Sequence, residues 1–367
     1  MIVLGIESSC DETAVAIVGS DRRIYSHNIH SQVIKHNSYG GVVPEIAARQ
    51  HMIHMQTVIE KTIAESGIHL TEIDAISVTA GPGLIGGLIV GVMMAKGMAL
   101  AINKPCVAVN HLEGHALTPR LVYGNLDFPY LLLLISGGHC QILIAEGVGR
   151  YHLLGKTRDD SPGEAFDKVA KMLNLGYPGG PIIEKLAMNG NPKAINFPKP
   201  LYRQKNCDFS FSGLKTAVRL YAQKIGGITP GNSEIMKNGN NDGDGNIRNS
   251  SAFDQTIEKH LANICASFQE TVAETLADRL RQAIPIARKE FNISKLVVSG
   301  GVASNAYIRK KLEITSSEYG LCTMFPPVEL CTDNGAMIAW VGIEKLKLSK
   351  VTDINFSPKS SWPLFNM

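Results

Sequence analysis

Leu4-Gly5-Ile6-Glu7-Ser8-Ser9-Cys10 and, much later in the chain, Leu133-Leu134-Ile135-Ser136-Gly137-Gly138-His139 share one pattern: a hydrophobic strand, then a tight Ser/Gly turn, then a second strand. Such an internal repeat implies two similar lobes. Each turn leaves backbone N–H groups free at a sheet edge, a nest able to hold phosphate without any lysine. Two opposed hairpins of this kind would grip one nucleotide between them.

Outward from these hairpins, short β-rich runs at 2–6, 15–18, 75–80, 106–109, 130–135, 141–145 and 296–299 alternate with longer helical patterns, which makes this an α/β chain. Residues 44–66 open with proline and keep Ile46, Ala47, Met52, Ile53, Met55, Val58, Ile59 and Ile63 at helical spacing. Residues 253–288 read the same way. The expected domains are a first lobe over 1–127, with a helix at 332–347 packing back on it, and a second lobe over 128–331. Residues 226–255, rich in Gly, Asn, Asp and Ser, read as a flexible insertion, and 348–367 as a C-terminal tail.

At 367 residues, with 44% hydrophobic and 19% charged, the chain has enough apolar side chain for two compact lobes, and intrinsic disorder is excluded as its general state. The net charge of +3 permits a polyanionic partner without announcing one. Seven cysteines, an odd number with no C-x-x-C pair, argue against a disulfide framework and a structural zinc site. A reducing, cytoplasmic setting is expected. The first residues lack a basic leader, and the longest apolar run, 84–95, ends at Lys96, short of the roughly 20 residues a bilayer needs. No membrane association is expected, and that run reads as a buried helix.

Several motifs carry chemistry or mimic it. Gly81-Pro82-Gly83-Leu84-Ile85-Gly86 matches G-x-G-x-x-G after a strand, but the following strand brings no carboxylate for a ribose, so it reads as a turn that lets helix and sheet approach closely. Gly155-Lys156-Thr157 has Arg150 where a phosphate loop needs its first glycine, and Asp242-Gly243-Asp244-Gly245-Asn246 lacks the glycine and glutamate of a calcium loop. In His111-Leu112-Glu113-Gly114-His115, helical i and i+4 spacing stacks two imidazoles on one face within reach of a single cation; the alternative is two unrelated surface histidines. Glu113 stands one position away from where a zinc protease needs its base, about 100° around the helix. A two-His site wants an oxygen ligand and then suits iron or zinc, and spacing leaves that carboxylate open. Asn305, after Gly300-Gly301-Val302-Ala303-Ser304, lands at a helix start as a cap or a ligand contact. The helix opened by Ser161-Pro162-Gly163-Glu164 and the turn Tyr177-Pro178-Gly179-Gly180-Pro181 put acidic and glycine-backbone groups at one rim.

Taken in order, Glu7-Ser8-Ser9-Cys10-Asp11-Glu12-Thr13, Tyr39-Gly40-Gly41-Val42-Val43-Pro44-Glu45, the histidine pair, Ser136-Gly137-Gly138-His139, Gly163-Glu164-Ala165-Phe166-Asp167-Lys168, Asp208-Phe209-Ser210-Phe211-Ser212-Gly213-Leu214-Lys215-Thr216, Gly300 to Asn305 and Cys331-Thr332-Asp333-Asn334-Gly335-Ala336 resemble the TsaD family, also called YgjD or Gcp. These are the bacterial tRNA threonylcarbamoyladenosine transferases. The resemblance runs from about residue 1 to 345, excepting the insertion, and implies a duplicated actin/hexokinase/Hsp70-like (ASKHA) fold with the active site in the cleft between two lobes.

The same resemblance implies that His111, His115 and Asp333 hold one divalent metal per subunit, Fe2+ or Zn2+. It implies an adenylate site lined by Leu134, Ile135, Ser136, Gly137, Gly138, Asp167, Gly180, Glu184 and Asn305, with Asp11 and Glu12 facing it as the catalytic carboxylates. Glu184 stands where many members have aspartate. The implied reaction moves a threonylcarbamoyl group from threonylcarbamoyl-AMP, made by a separate synthase, to N6 of the tRNA adenosine at position 37 in tRNAs reading ANN codons, releasing AMP. The donor is already an activated anhydride, so the chemistry reduces to positioning and charge stabilisation. Implied partners are tRNA, a homologous inactive TsaB-like subunit and a small TsaE-like ATPase. The alternatives are a non-catalytic ATP-binding subunit of the same fold, a kinase of that fold, and a metallopeptidase.

Overall fold

The computed structural model describes residues 1–224, 250–350 and 352–366; the part of the expected insertion from 226 to 249 lies outside the described residues. The two hairpins of the sequence repeat are the centres of two five-stranded sheets. The first sheet contains β1 (Ile2–Glu7), β2 (Glu12–Gly19), β3 (Ile24–Ser31), β4 (Ala75–Gly81) and β5 (Cys106–Asn110). The second contains β6 (Tyr130–Ile135), β7 (Cys140–Gly147), β8 (Arg150–Lys156), β9 (Lys295–Ser299) and β10 (Cys322–Met324). Their orders are β3-β2-β1-β4-β5 and, read from the opposite edge, β8-β7-β6-β9-β10. In both, the hairpin strands and the next edge strand pair antiparallel, and the other two pairs are parallel. The two sheets are the same design built twice.

The edge strands β3, β8 and β10 escaped the sequence reading. β3 reads IYSHNIHS, its apolar residues broken up by Ser26, His27, Asn28 and His30, and β8 reads RYHLLGK with Arg150, His152 and Lys156 exposed, so neither offers the apolar run that marks a central strand.

Helices α1 (Val33–Asn37), α2 (Pro44–Ser66), α3 (Ile85–Ala101) and α4 (His111–Val122) belong to the first half of the chain. Then come α5 (Pro162–Met172), α6 (Gly179–Ala187), α7 (Ser212–Lys224), α8 (Ser250–Phe291), α9 (Ala306–Ser317) and α10 (Gly335–Lys347). Alternate residues of β1 face opposite ways, as period-2 geometry requires. Leu4 and Ile6 meet Met55 and Val92 of α2 and α3, while Val3 meets Trp340 and Met337 of α10. On β6, Leu131, Leu133 and Ile135 meet Phe268 and Leu276 of α8, while Leu132 and Leu134 meet Leu112 and Ala116 of α4. Helix α4 therefore contacts both sheets, and α10 crosses it while lying on β1 and β2. These two helices fill the space between the lobes.

The 84–95 run differs from its expectation. It lies in α3, whose inner face is buried through Leu88, Val92 and Ala95, but Ile85, Ile89, Met93 and Leu100 are exposed, as are Met52 and Ile53 on the neighbouring α2. Hydrophobicity all round this helix thus includes an apolar face that the described residues leave uncovered.

Candidate metal centre and nucleotide cleft

Helix α4 starts where β5 ends because Asn110 caps it, its Oδ1 accepting from Leu112 N at 2.9 Å. That places His111 and His115 one turn apart, with ring centroids 4.8 Å apart and nearly perpendicular. The third member arrives from the far end of the chain. Asn334 caps α10 through Met337 N at 2.9 Å, and the residue before that cap, Asp333, projects onto the histidine pair. Asp333 Oδ1 lies 3.1 Å from His115 Nε2 and 3.4 Å from His111 Nε2. Metal–ligand bonds of about 2.0–2.2 Å put neighbouring donors roughly 3.0–3.5 Å apart, so this spacing fits one cation. The donor set, two imidazole nitrogens and a carboxylate oxygen all within 4.8 Å of one another, is compatible with one divalent metal.

His111 is oriented from behind: its Nδ1 meets Glu7 Oε2 at 3.0 Å and Ser9 Oγ at 3.1 Å. A carboxylate in this position would fix the ring's orientation toward a cation held by the triad. Burial pulls the His111 pKa down, yet Asp333 and Glu7 outweigh it and hold it up at about 9. Asp333 and Glu7 move the other way: burial raises each, and the histidine charge beside them wins. Glu113, between the histidines, points elsewhere. It is fully buried, its Oε1 accepting from Gly149 N at 2.7 Å and Tyr151 Oη at 3.2 Å, with Lys345 Nζ 3.1 Å from Oε2 as an ion pair. It ties α4 to the β7–β8 turn and to α10, and it is unavailable as a base at the triad.

The triad opens into a cleft of two connected chambers. The larger, about 800 Å³, is lined by His111, Asp333, Ser136 to His139 and Asp11, and by residues 360–363 and 365 of the C-terminal segment. The smaller, about 250 Å³, is lined by Glu12, Gly180, Glu184, Gly301 and Asn305. Asp11, Gly137, Asp167 and Tyr177 border both. Gly137 and Gly138 have nothing within 4 Å of where a Cβ would stand, so their backbone is open to the cleft. Asp167 accepts from Gly179 N at 2.8 Å, and its carboxyl is pushed up by burial. Glu184 accepts from Ala306 N at 2.7 Å. Asn305 does cap α9, its Oδ1 accepting from Ile308 N at 2.9 Å while Nδ2 donates to Gln269 Oε1 at 2.8 Å, and it lines the smaller chamber as well.

Leu134 and Ile135 are the site candidates whose side chains stand apart, each fully buried in a core on one face of the second sheet. Their contribution is to deliver Ser136–Gly138. Glu12 is half-buried, and its carboxyl is raised well above the ordinary range by burial and then by Asp11 and Asp333. His139 was passed over although it stands in a quoted motif. It lines the larger chamber, and burial followed by the charges of His111 and His115 pushes its pKa down to about 4. Glu7, at the end of β1, and Ser9, in the first turn, likewise stand inside a quoted motif that gives neither a role of its own. Residues 360–365 had no motif at all.

A duplicated sheet with paired hairpin turns facing one cleft defines the class: a two-lobed α/β protein of the actin/hexokinase/Hsp70 type. Solved structures agree on the fold. Component A of (R)-2-hydroxyglutaryl-CoA dehydratase from Acidaminococcus fermentans matches with TM-score 0.51 at 14% identity, covering 95% of this chain and 99% of that one. HypF of T. kodakarensis matches with TM-score 0.56 at 14% identity, over 94% of this chain and 48% of that one.

Sequence comparison is more specific. The model of the family TsaD, tRNA N6-adenosine threonylcarbamoyltransferase, matches residues 23–340. Proteins named tRNA N6-adenosine threonylcarbamoyltransferase from Rhodospirillum rubrum and Paramagnetospirillum magneticum are 50% and 48% identical, each over 99% of this chain and covering 94% and 97% of theirs. The chain belongs to the TsaD family of tRNA N6-adenosine threonylcarbamoyltransferases, and its activity is a catalytic tRNA modification. Among the described residues no helix is long and apolar enough to cross a membrane.

Proposed function

We propose that the donor is threonylcarbamoyl-AMP supplied by a separate synthase, and that the acceptor is N6 of the adenosine at position 37 of tRNAs reading ANN codons. The observation that carries this reading is the position of the His111–His115–Asp333 triad at the wall of a cleft whose other wall is the open backbone of Gly137 and Gly138. The nucleoside of the adenylate fits the smaller chamber, against Asp167, Gly180, Glu184 and Asn305. Its phosphate meets the Ser136–Gly138 amides. An iron(II) ion, with zinc(II) as the alternative, held by the triad would supply Lewis-acid polarisation of the donor.

Asp11 borders both chambers, which makes it the proton acceptor we favour. The N6 amine attacks the carbamoyl carbon and the bond from that carbon to the phosphate oxygen breaks. AMP leaves, and the amine proton passes to Asp11. Glu12, held toward its neutral form beside it, assists as a hydrogen-bond partner. The metallopeptidase alternative lacks support because Glu113 is committed to Lys345, Gly149 and Tyr151.

A TsaB-like homologous subunit and a TsaE-like ATPase complete the reading, in a cytoplasmic setting. The exposed apolar side chains of α2 and α3 support a protein partner on that face. The test is to incubate the protein with partner subunits, unmodified tRNA and threonylcarbamoyl-AMP labelled in threonine, beside His111→Ala. Label should enter tRNA with the native protein and not with the variant. Equal labelling by both would remove the triad from the reaction, and no labelling by either would remove the proposed donor.

A further inference from the structure

The C-terminal segment leaves the first lobe, crosses the mouth of the cleft and anchors in the second. On the first lobe Lys96 Nζ donates to Phe356 O at 2.6 Å, Lys359 N donates to Ala80 O at 2.7 Å, and Gly83 N donates to Ser360 O at 3.3 Å. Gly81 has φ +144, and a Cβ there would overlap the carbonyl oxygen of Lys359, so the Gly-Pro-Gly turn makes room for this segment. Asn110, whose Oδ1 caps the metal-facing helix, donates from Nδ2 to Trp362 O at 2.9 Å. On the second lobe Leu364 is fully buried with Leu132, Leu134 and Leu143, and Phe365 lies 5.7 Å from Lys156 Nζ.

Four facts therefore concern one short stretch. It is tied to both lobes, it is tied to the cap of the helix that carries both histidines, a glycine turn is shaped around it, and it lines the larger chamber. With an adenylate nucleoside in the smaller chamber and its phosphate at Ser136–Gly138, the rest of that larger chamber is the space left. A second nucleoside must reach the triad through it. A wall with indole, phenyl and hydroxyl groups flanked by Lys156 and Lys359 is the chemistry that seats an unstacked base next to its phosphates.

We propose that residues 360–365 form the seat for the acceptor nucleoside of the tRNA, holding its base while N6 faces the triad. This rests on the transferase reading of the cleft. Ser361 is exposed and lines the chamber, so Ser361→Trp narrows the seat without disturbing a packed side chain.

The experiment measures binding, in the presence of the partner subunits, of an anticodon stem-loop RNA carrying adenosine or an abasic site at the acceptor position, with AMP binding measured in parallel. Base removal should weaken binding to the native protein roughly tenfold, the scale of one stacked base. Ser361→Trp should bind both RNAs alike while keeping AMP affinity. Trp362→Ala should behave like it, and Trp362→Phe should restore the discrimination. The inference is overturned if the native protein does not discriminate, if Ser361→Trp discriminates equally, or if AMP affinity falls with discrimination in both variants. Because binding is read directly, a native protein that binds both ligands yet transfers nothing would sink the transferase reading while still deciding the seat.

Discussion

The two hairpin turns have the same length and topology and opposite characters. Residues 8–11 join β1 to β2, and residues 136–139 join β6 to β7. The first turn is locked from every side. Ser8 Oγ donates to Gly87 O at 3.0 Å, Ser9 N donates to Glu7 Oε1 at 2.6 Å, and the buried His51 spans its base. Since a carbonyl only accepts, His51 Nε2 carries the proton that meets Cys10 O at 3.0 Å, which leaves Nδ1 to accept from Thr13 Oγ1 at 2.7 Å. The second turn holds two glycines, Gly137 and Gly138, with nothing within 4 Å of where a Cβ would stand. One geometry occurs twice; side chains give one copy its carboxylates and the groups behind His111, and leave the other with open backbone at Gly137 and Gly138.

The largest effect should come from the group that both turns face. Asp333→Ala should abolish stoichiometric metal binding and slow transfer on the order of a thousandfold, the equivalent of several kcal/mol of charge stabilisation. Metal analysis and single-turnover rates check this together. Next comes the locked turn's chemistry: Asp11→Asn should slow transfer about a hundredfold with AMP affinity retained, the usual scale for one proton-transfer group. Glu12→Gln, replacing a carboxyl already held toward neutrality, should cost less. Equal losses in the two variants would break the division of roles between these neighbours.

Matched glycine substitutions test the comparison itself. Gly137→Ala adds a methyl where the protein has nothing, so thermal stability should hold while AMP affinity drops about tenfold through lost backbone approach. Gly87→Ala pushes a methyl into the carbonyl of Ser8 and the His51 ring, and should lower unfolding free energy by about 1–3 kcal/mol. The reverse pattern in calorimetry and AMP titration would mean the open and locked assignments are exchanged.

The smallest effect is a pH dependence. Burial lowers the His51 pKa from its ordinary value of 6.5. The unfolded chain then takes up a proton that the folded one refuses, so stability present above pH 6.5 falls as the pH drops below it. The slope approaches about 1.4 kcal/mol per pH unit for one proton. Denaturant midpoints between pH 7.5 and 5 should fall less steeply in His51→Gln than in the native protein; parallel curves would show that His51 does not titrate between the two states.

Legibility in the sequence followed burial and locality. The central strands β1, β6 and β9 carry continuous apolar runs because both faces are covered, and α2 carries its own signals, proline at the start and Gly67 at φ 67 after its end. The edge strands β3 and β8 carry weaker runs because part of each meets water, whereas the edge strand β5 is buried throughout and was legible. The Gly81–Gly83 turn, expected to let helix and sheet approach closely, instead makes room for Ser9 and the C-terminal segment, partners remote in sequence.

By itself the sequence determined what depends on near neighbours: a repeated strand-turn-strand, a capped helix with histidines one turn apart, and a glycine turn too open for side-chain chemistry. Family resemblance named Asp333 and the adenylate-site residues, but packing decided how they meet. Asp333 reaches the histidines because α10 packs across α4, Glu113 is consumed by Lys345 and the β7–β8 turn, and residues 360–363 and 365 become a wall of the cleft. Periodicity and capping are local energies that leave a local mark. The convergence of distant segments is set by how two covered sheet faces share the helices between them, and no short stretch of sequence records that.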